Sequence, residues 1–173
     1  TTGEPLTESV EKMSKSRKNV VNPNDIIQRY GADTFRLYEM FMGPLDAAKP
    51  WNTQDVPGVQ RFLQKVWRLF IAEDGALHPD LVMEEPQDAE LRLLHKTIRK
   101  VTEDVEQLAF NTAIAQMMIF VNEYTRLDRR PRGALEQFVL LLAPFAPHMA
   151  EELWQRLGNN DTIAFEPWPV YDP

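Results

Sequence analysis

From residue 59 to about residue 157, apolar positions recur at helical spacing; before that they appear only in short runs. Phe62, Leu63, Val66, Trp67, Phe70 and Ile71 fall at i, i+1, i+4, i+5, i+8 and i+9, which predicts a helix with one broad buried face. Leu91, Leu94, Ile98, Val101, Val105 and Leu108 form a stripe at three- and four-residue steps, predicting a helix from about Asp88 to Ala109. Asn111 interrupts the stripe, and Ile114, Met117, Met118, Val121 and Tyr124 resume it from Thr112 to about Leu127. A fourth long segment runs from Gly133 to Leu157 and is stopped by Gly158-Asn159-Asn160. Pro144 and Pro147 lie inside it and are expected to break or kink it, because proline has no N–H to donate and its ring crowds the preceding turn.

Upstream the pattern is weaker. Residues 1–22 read as polar loop. Asn22-Pro23 predicts a helix start, since Asn caps and Pro suits the first turn, and Gly31 is the expected stop. Ala32 to Met42 reads as a second short helix, ended by Gly43-Pro44. Pro44, Pro50 and Pro57 with Trp51 mark a junction over residues 43–58, and residues 75–86 form a second proline-marked loop. Thr162 to Trp168 reads as a short extended piece, and no stretch supports a β-sheet. The fold class is therefore all-α: a four-helix up-and-down bundle, preceded by a loop segment and two short helices. Two units are expected, residues 1–45 and residues 46–173.

Composition narrows the function. At 173 residues, 43% apolar and 26% charged, the chain has the make-up of a globular protein able to bury its own core. No run of about 18 apolar residues is present, so no membrane partner is expected. The absence of cysteine excludes disulfides and thiolate metal sites, and the three histidines lack ligand spacing, so no metal site is expected. A start without signal-peptide character completes the expectation of a cytoplasmic protein. The net charge of −7 argues against a dedicated nucleic-acid domain, so any such contact must use local basic patches. The glycines form no phosphate-cradling fingerprint.

Against that acidic background, Lys12-Met13-Ser14-Lys15-Ser16-Arg17-Lys18 stands out. It carries four cations and two hydroxyls with one apolar residue. Ammonium groups, hydroxyls and successive backbone N–H groups suit a polyphosphate. Two further basic groups are candidates for nucleic-acid phosphates: Arg126, Arg129, Arg130 and Arg132 around a turn, and Lys96, Arg99 and Lys100 on one helix. Each reads equally as a solvated turn or face with local salt bridges. His148 reads as a packed or capping residue and Glu151-Glu152 as exposed charge. Trp67, Trp154, Trp168 and Met117-Met118 read as core.

The string Lys12-Met13-Ser14-Lys15-Ser16 is also the second signature of class I aminoacyl-tRNA synthetases, and the surrounding residues make the resemblance specific. Lys12 to Pro23 resembles the signature loop and its exit in leucyl-tRNA synthetases. So do Gly31-Ala32-Asp33-Thr34 to Arg36-Leu37, then Gly43-Pro44 and Trp51-Asn52. Phe110 to Ala115, Leu142 to His148, Glu151 to Trp154, Leu157-Gly158 and Trp168-Pro169 resemble that family's helical anticodon-binding domain. The likeness covers about residues 9 to 170; valyl and isoleucyl enzymes share the layout with less similar strings.

The resemblance implies that the loop helps activate leucine with ATP, magnesium accompanying the nucleotide, and that the bundle supports tRNA(Leu). Lys12 and Lys15 match the two signature lysines and are the implied catalytic residues; with Ser14 and Ser16 they are the implied ATP-phosphate ligands. Arg99, Lys100, Arg126, Arg129, Arg130 and Arg132 are the implied tRNA contacts. The partner signature, the α/β nucleotide domain and an editing domain do not occur, so the chain is expected to be a piece of a much larger enzyme. It would then work with the remaining domains of that polypeptide and be inactive alone. The rival readings are a valyl- or isoleucyl-type fragment, a stand-alone helical tRNA-binding module and a helical interaction protein.

Overall fold

The computed structural model describes Ser9 and residues 11–172. Of the segment read as loop, residues 1–8 and 10 lie outside the described residues. Among the described residues seven α-helices follow one another: α1 (Pro23–Tyr30), α2 (Ala32–Phe41), α3 (Val56–Phe70), α4 (Asp88–Glu106), α5 (Phe110–Tyr124), α6 (Arg132–Leu142) and α7 (Pro147–Arg156). Asn22 caps α1 by accepting from the Asn24 N–H at 3.1 Å, and Pro23 occupies the first turn. Gly31, at φ +90°, closes α1 by donating to Ile27 O and turns the chain into α2.

One core holds the chain together. Leu94, Ile98 and Val101 of α4 face Ala113, Ile114, Met117 and Val121 of α5, all buried, in the most extensive helix pair. Thr97 and Gln116 add a buried hydrogen bond between the two helices, Gln116 Nε2 donating to Thr97 Oγ1 at 3.0 Å, and the Thr97 hydroxyl donates in turn to Leu93 O at 2.8 Å. With both polar groups supplied with partners, the pair sets register without leaving an orphaned dipole. Phe120 of α5 stacks on Tyr124 (centroids 4.1 Å apart) and on Phe138 of α6 (4.8 Å). Leu37, Tyr38 and Ile26 from the two short helices enter the same cluster as the bundle. Tyr38 donates to Asn52 O at 2.8 Å, and burial pushes its phenol above its ordinary pKa, with the Asp55 carboxylate adding to the shift.

The structure corrects several sequence expectations. The α4–α5 break falls at Gln107–Ala109 rather than at Asn111, which lies inside α5. The stripe on α4 is also shifted: Leu91 and Leu108 are exposed, while Thr97 and Asp104 face inward with Leu94, Ile98 and Val101. The break expected at Pro144 and Pro147, by contrast, is present: the fourth segment divides in two, with α6 and α7 meeting at an elbow over residues 143–146, so the bundle has a broken fourth member. Residues 162–168 contain a 3-10 turn, Ile163–Phe165, because Glu151 accepts from Thr162 Oγ1 (2.9 Å) and the Ile163 N–H (3.2 Å). A short parallel ladder also exists, β1 (Leu81–Val82) beside β2 (Arg130–Pro131). It forms where Arg130 N donates to Asp80 O at 2.7 Å and the Arg130 guanidinium meets the Asp80 carboxylate at 3.3 Å.

The α4–α5 break carries strain that can be measured. Leu108 sits at φ +58° with 57% of its surface exposed. Its backbone thus sits in the left-handed region, where the Cβ crowds the following carbonyl, with little burial of the side chain in return. Leu108→Gly is expected to raise unfolding free energy by about 0.5–1 kcal/mol, the Cβ penalty relieved less the extra chain entropy of glycine. Urea denaturation followed by circular dichroism checks it; a loss of stability would show that Leu108 packs better than its exposure indicates.

Candidate functional site

The basic loop is a closed turn. Ser14, in extended conformation, begins a 3-10 turn over Lys15–Arg17; its Oγ accepts from the Arg17 N–H at 3.3 Å and lies 3.1 Å from Ser16 Oγ. Lys18 ends the turn at φ +55°, donating its N–H to Lys15 O at 3.2 Å. Asn19 then folds back across the loop. Its Oδ1 accepts from the Ser14 N–H at 2.8 Å, and its Nδ2 donates to Lys12 O at 3.3 Å. The side chain of one residue outside the five-residue string thus ties down the first half of that string, at Lys12 and Ser14.

The turn decides which cations are displayed. Arg17 is paired with Glu11. Among the described residues, Lys12, Lys15 and Lys18 form no ion pair, and all three are exposed. In sequence, Lys12 and Lys15 flank the Ser14 hydroxyl, and Ser16 follows Lys15 directly. This donor set, ammonium plus hydroxyl, fits phosphate oxygens and not a metal ion. No group of three His, Asp or Glu suited to a metal occurs among the described residues.

Met13 of the loop and Val21 line one groove with Pro23, Phe35, Met42 and Trp51, and Glu39 and Lys49 add a charge of each sign to it. Trp51, from the proline-rich junction, packs edge-on against Tyr38 (5.0 Å) and tilted against Phe35 (6.1 Å). The loop is therefore carried on α1 and α2, and those helices rest on the bundle core through Ile26, Leu37 and Tyr38.

The basic residues of the bundle are dispersed. Arg130 is buried, donating to Leu69 O at 3.3 Å and paired with Asp80, so its guanidinium faces inward. Arg129 is shared between Glu84 (3.2 Å) and the buried Glu90 (3.3 Å). Arg132 binds Glu136 and Leu157 O. Arg126 is 71% exposed beside Glu123. On α4, Lys100 is held by the buried Asp104 at 2.7 Å, whereas Arg99 lies exposed, 3.8 Å from Glu103. Lys96 and Arg99 share an open groove with Arg92 and His95, crossed by Tyr171 and Asp172. Sequence reasoning missed Asp33, which sits at the start of α2 and bonds to α7 (2.7 Å to the Met149 N–H). A carboxylate in the Gly31–Leu37 string, with no partner nearby in sequence, was the available signal.

The comparisons with known proteins agree with this layout. Residues 4–49 match the family model described as tRNA synthetases class I (I, L, M and V), and residues 90–173 match the anticodon-binding domain of tRNA ligase. A leucine–tRNA ligase of Rhodopirellula baltica is 58% identical over 164 residues, covering 93% of this chain and 17% of the relative. Those of Leptospira biflexa and Rhizobium johnstonii are 54% and 53% identical, covering 96% and 95% of this chain but 19% and 20% of theirs. The crystal structure of the ternary complex of Agrobacterium radiobacter K84 agnB2 LeuRS, tRNA and LeuAMS aligns with a TM-score of 0.76 at 35% identity. It covers 93% of this chain and 22% of that one. The chain thus spans about a fifth of the length of the curated relatives it matches. Identity above one half along nearly the whole chain, with the fold reproduced, establishes that it belongs to the leucyl-tRNA synthetase family of class I.

Proposed function

We propose that this chain is the part of a leucine–tRNA ligase that contributes the phosphate-binding loop and the helical bundle supporting tRNA(Leu). The observation that carries it is the Asn19-closed turn, which presents Lys12, Lys15, Ser14 and Ser16 on a short support packed against the bundle. In the reaction, the leucine carboxylate attacks the α-phosphorus of ATP, the α–β bridging bond breaks, and leucyl-adenylate and pyrophosphate form. Negative charge grows on the departing pyrophosphate, and the Lys12 and Lys15 ammonium groups, with the two serine hydroxyls, are suited to hold it. Magnesium accompanying the nucleotide would add positive charge to the same phosphates, held by them and not by any group of three His, Asp or Glu among the described residues. The tRNA 3′-terminal ribose then takes the leucyl group, releasing AMP.

The proposed roles divide as residues 1–45 for the loop and its support, and residues 46–173 for the tRNA. Among the basic candidates, Arg99 and Arg126 are the most accessible to phosphates, with Lys100 and Arg129 reachable after exchanging their carboxylate partners. Arg130 is better suited to holding the β1–β2 connection, and Arg132 the α6 start. Such contacts would place the tRNA without reading its bases.

ATP–pyrophosphate exchange on the full-length parent enzyme tests the reading. Exchange is expected with leucine and not with isoleucine, valine or methionine. If valine or isoleucine drives it instead, the rival synthetase type is correct; if none does, the helical binding module is.

A further inference from the structure

The elbow between α6 and α7 is held from outside by one face of α2. Helix α7 begins at Pro147, which has no N–H, and Ala146 before it supplies no side-chain cap. The first free N–H groups of α7 are bonded instead by Asp33: the Met149 N–H donates to Oδ2 at 2.7 Å, and the His148 N–H to Oδ1 at 3.4 Å. His148 Nδ1 lies 2.8 Å from the same Oδ1. Three residues along α2, on the same side, Arg36 donates through Nη2 to Pro144 O at 3.0 Å. A carboxylate therefore meets the N-terminal end of α7, and a guanidinium meets a carbonyl just beyond the end of α6. Each charge matches the helix end it faces. The Asp33 side chain is only 12% exposed, so its bond to the Met149 N–H is the most sheltered of the set, whereas His148 and Arg36 are open to water.

We infer that Asp33 and Arg36 are positioning residues that lock the loop-bearing segment to the tRNA-supporting bundle in one orientation. The inference rests on the functional reading above. Its physical basis is the chain of supports: Lys12–Asn19 leads into α1, α1 packs on α2, and α2 grips the α6–α7 elbow. Leucine activation needs the loop placed on ATP alone. Transfer needs the loop site and the tRNA held by the bundle in register at the same moment. A latch between the two bears on the second reaction and not the first.

The test compares leucine-dependent ATP–pyrophosphate exchange with tRNA(Leu) charging in the full-length parent enzyme and its Asp33→Asn variant. Exchange is expected to stay within about twofold, while the charging kcat falls about tenfold or more with KM for tRNA little changed, as misplacement of reacting groups predicts. A merely structural role would lower both reactions together; that result, or unimpaired charging, overturns the inference. If Asp33→Asn does not fold, Arg36→Gln, at an exposed residue, must show the same selective loss. If the wild-type enzyme does not exchange with leucine, the functional reading fails separately. The latch is then judged by hydrogen exchange in Asp33→Asn: faster exchange at His148 and Met149 together with residues 12–19 supports it, and a change confined to 148–149 overturns it.

Discussion

Lys15→Ala in the full-length parent enzyme is expected to slow leucine-dependent ATP–pyrophosphate exchange by about 10²–10³-fold, the usual loss when one preorganised donor to developing charge is removed. KM for leucine should stay near that of the wild type. The geometry makes this an electrostatic test and not a folding test. Lys15 shapes the turn through its backbone, by accepting the Lys18 N–H at 3.2 Å. Its side chain is exposed and enters no ion pair among the described residues, so truncation leaves the Asn19 clasp and the Ser14 cap in place. Lys15→Arg should recover part of the rate, since charge is kept but the ammonium geometry is not. Lys18→Ala serves as the comparison, because Lys18 lies past the end of the turn. Equal losses at 15 and 18 would mean that the loop acts as a diffuse basic patch. Normal exchange in Lys15→Ala would remove the lysine from the proposed chemistry.

Phe120→Ala is expected to destabilise the isolated chain by about 3–5 kcal/mol, the range for large aromatic truncations in a core. Phe120 is fully buried and lies between the Tyr124 and Phe138 rings at 4.1 Å and 4.8 Å, so its loss opens a void shared by α5 and α6. Tyr124 is already under load there: its hydroxyl is buried without a partner, and burial pushes its pKa well above the ordinary value, with the Glu90 carboxylate adding to the shift. Urea unfolding monitored by far-ultraviolet circular dichroism gives the difference. Phe165→Ala, at a residue 90% exposed, is the control and should change stability by less than about 0.5 kcal/mol. A small loss at Phe120 would show that the α5–α6 seam repacks.

What could be read from the sequence was what repeats or what is local. The stripe on α3 and the alternating apolar rows of α5 follow from spacing alone, and Asn22-Pro23 with Gly31 bounds α1 because capping involves near neighbours. Pro144 and Pro147 announced a break for the same reason. What the break docks against was not legible, since Asp33 lies 115 positions from His148 and no periodicity links them. The β1–β2 ladder escaped notice because two-residue strands leave no alternation, and its existence depends on the Asp80–Arg130 pair. Charge counting placed Arg129, Arg130 and Arg132 on one basic turn. It could not say that one guanidinium points inward and the others are occupied by Glu84, Glu90 and Glu136. In the loop, the five-residue string was plain, while the closing role of Asn19 needed three dimensions.

That α1, α2 and the bundle share one core has a consequence for dissection. Two units joined only by a linker would melt in two steps and could be exchanged between homologues at the junction. Here Ile26, Leu37 and Tyr38 are buried among bundle side chains, and Tyr38 is bonded to the junction itself. A nick by protease between residues 43 and 52 should therefore leave two fragments that stay associated. Chimeras cut at that point inherit mismatched halves of a single interior, whereas grafts that carry residues 12 to 172 as one block keep it whole, Ile163 and Trp168 included.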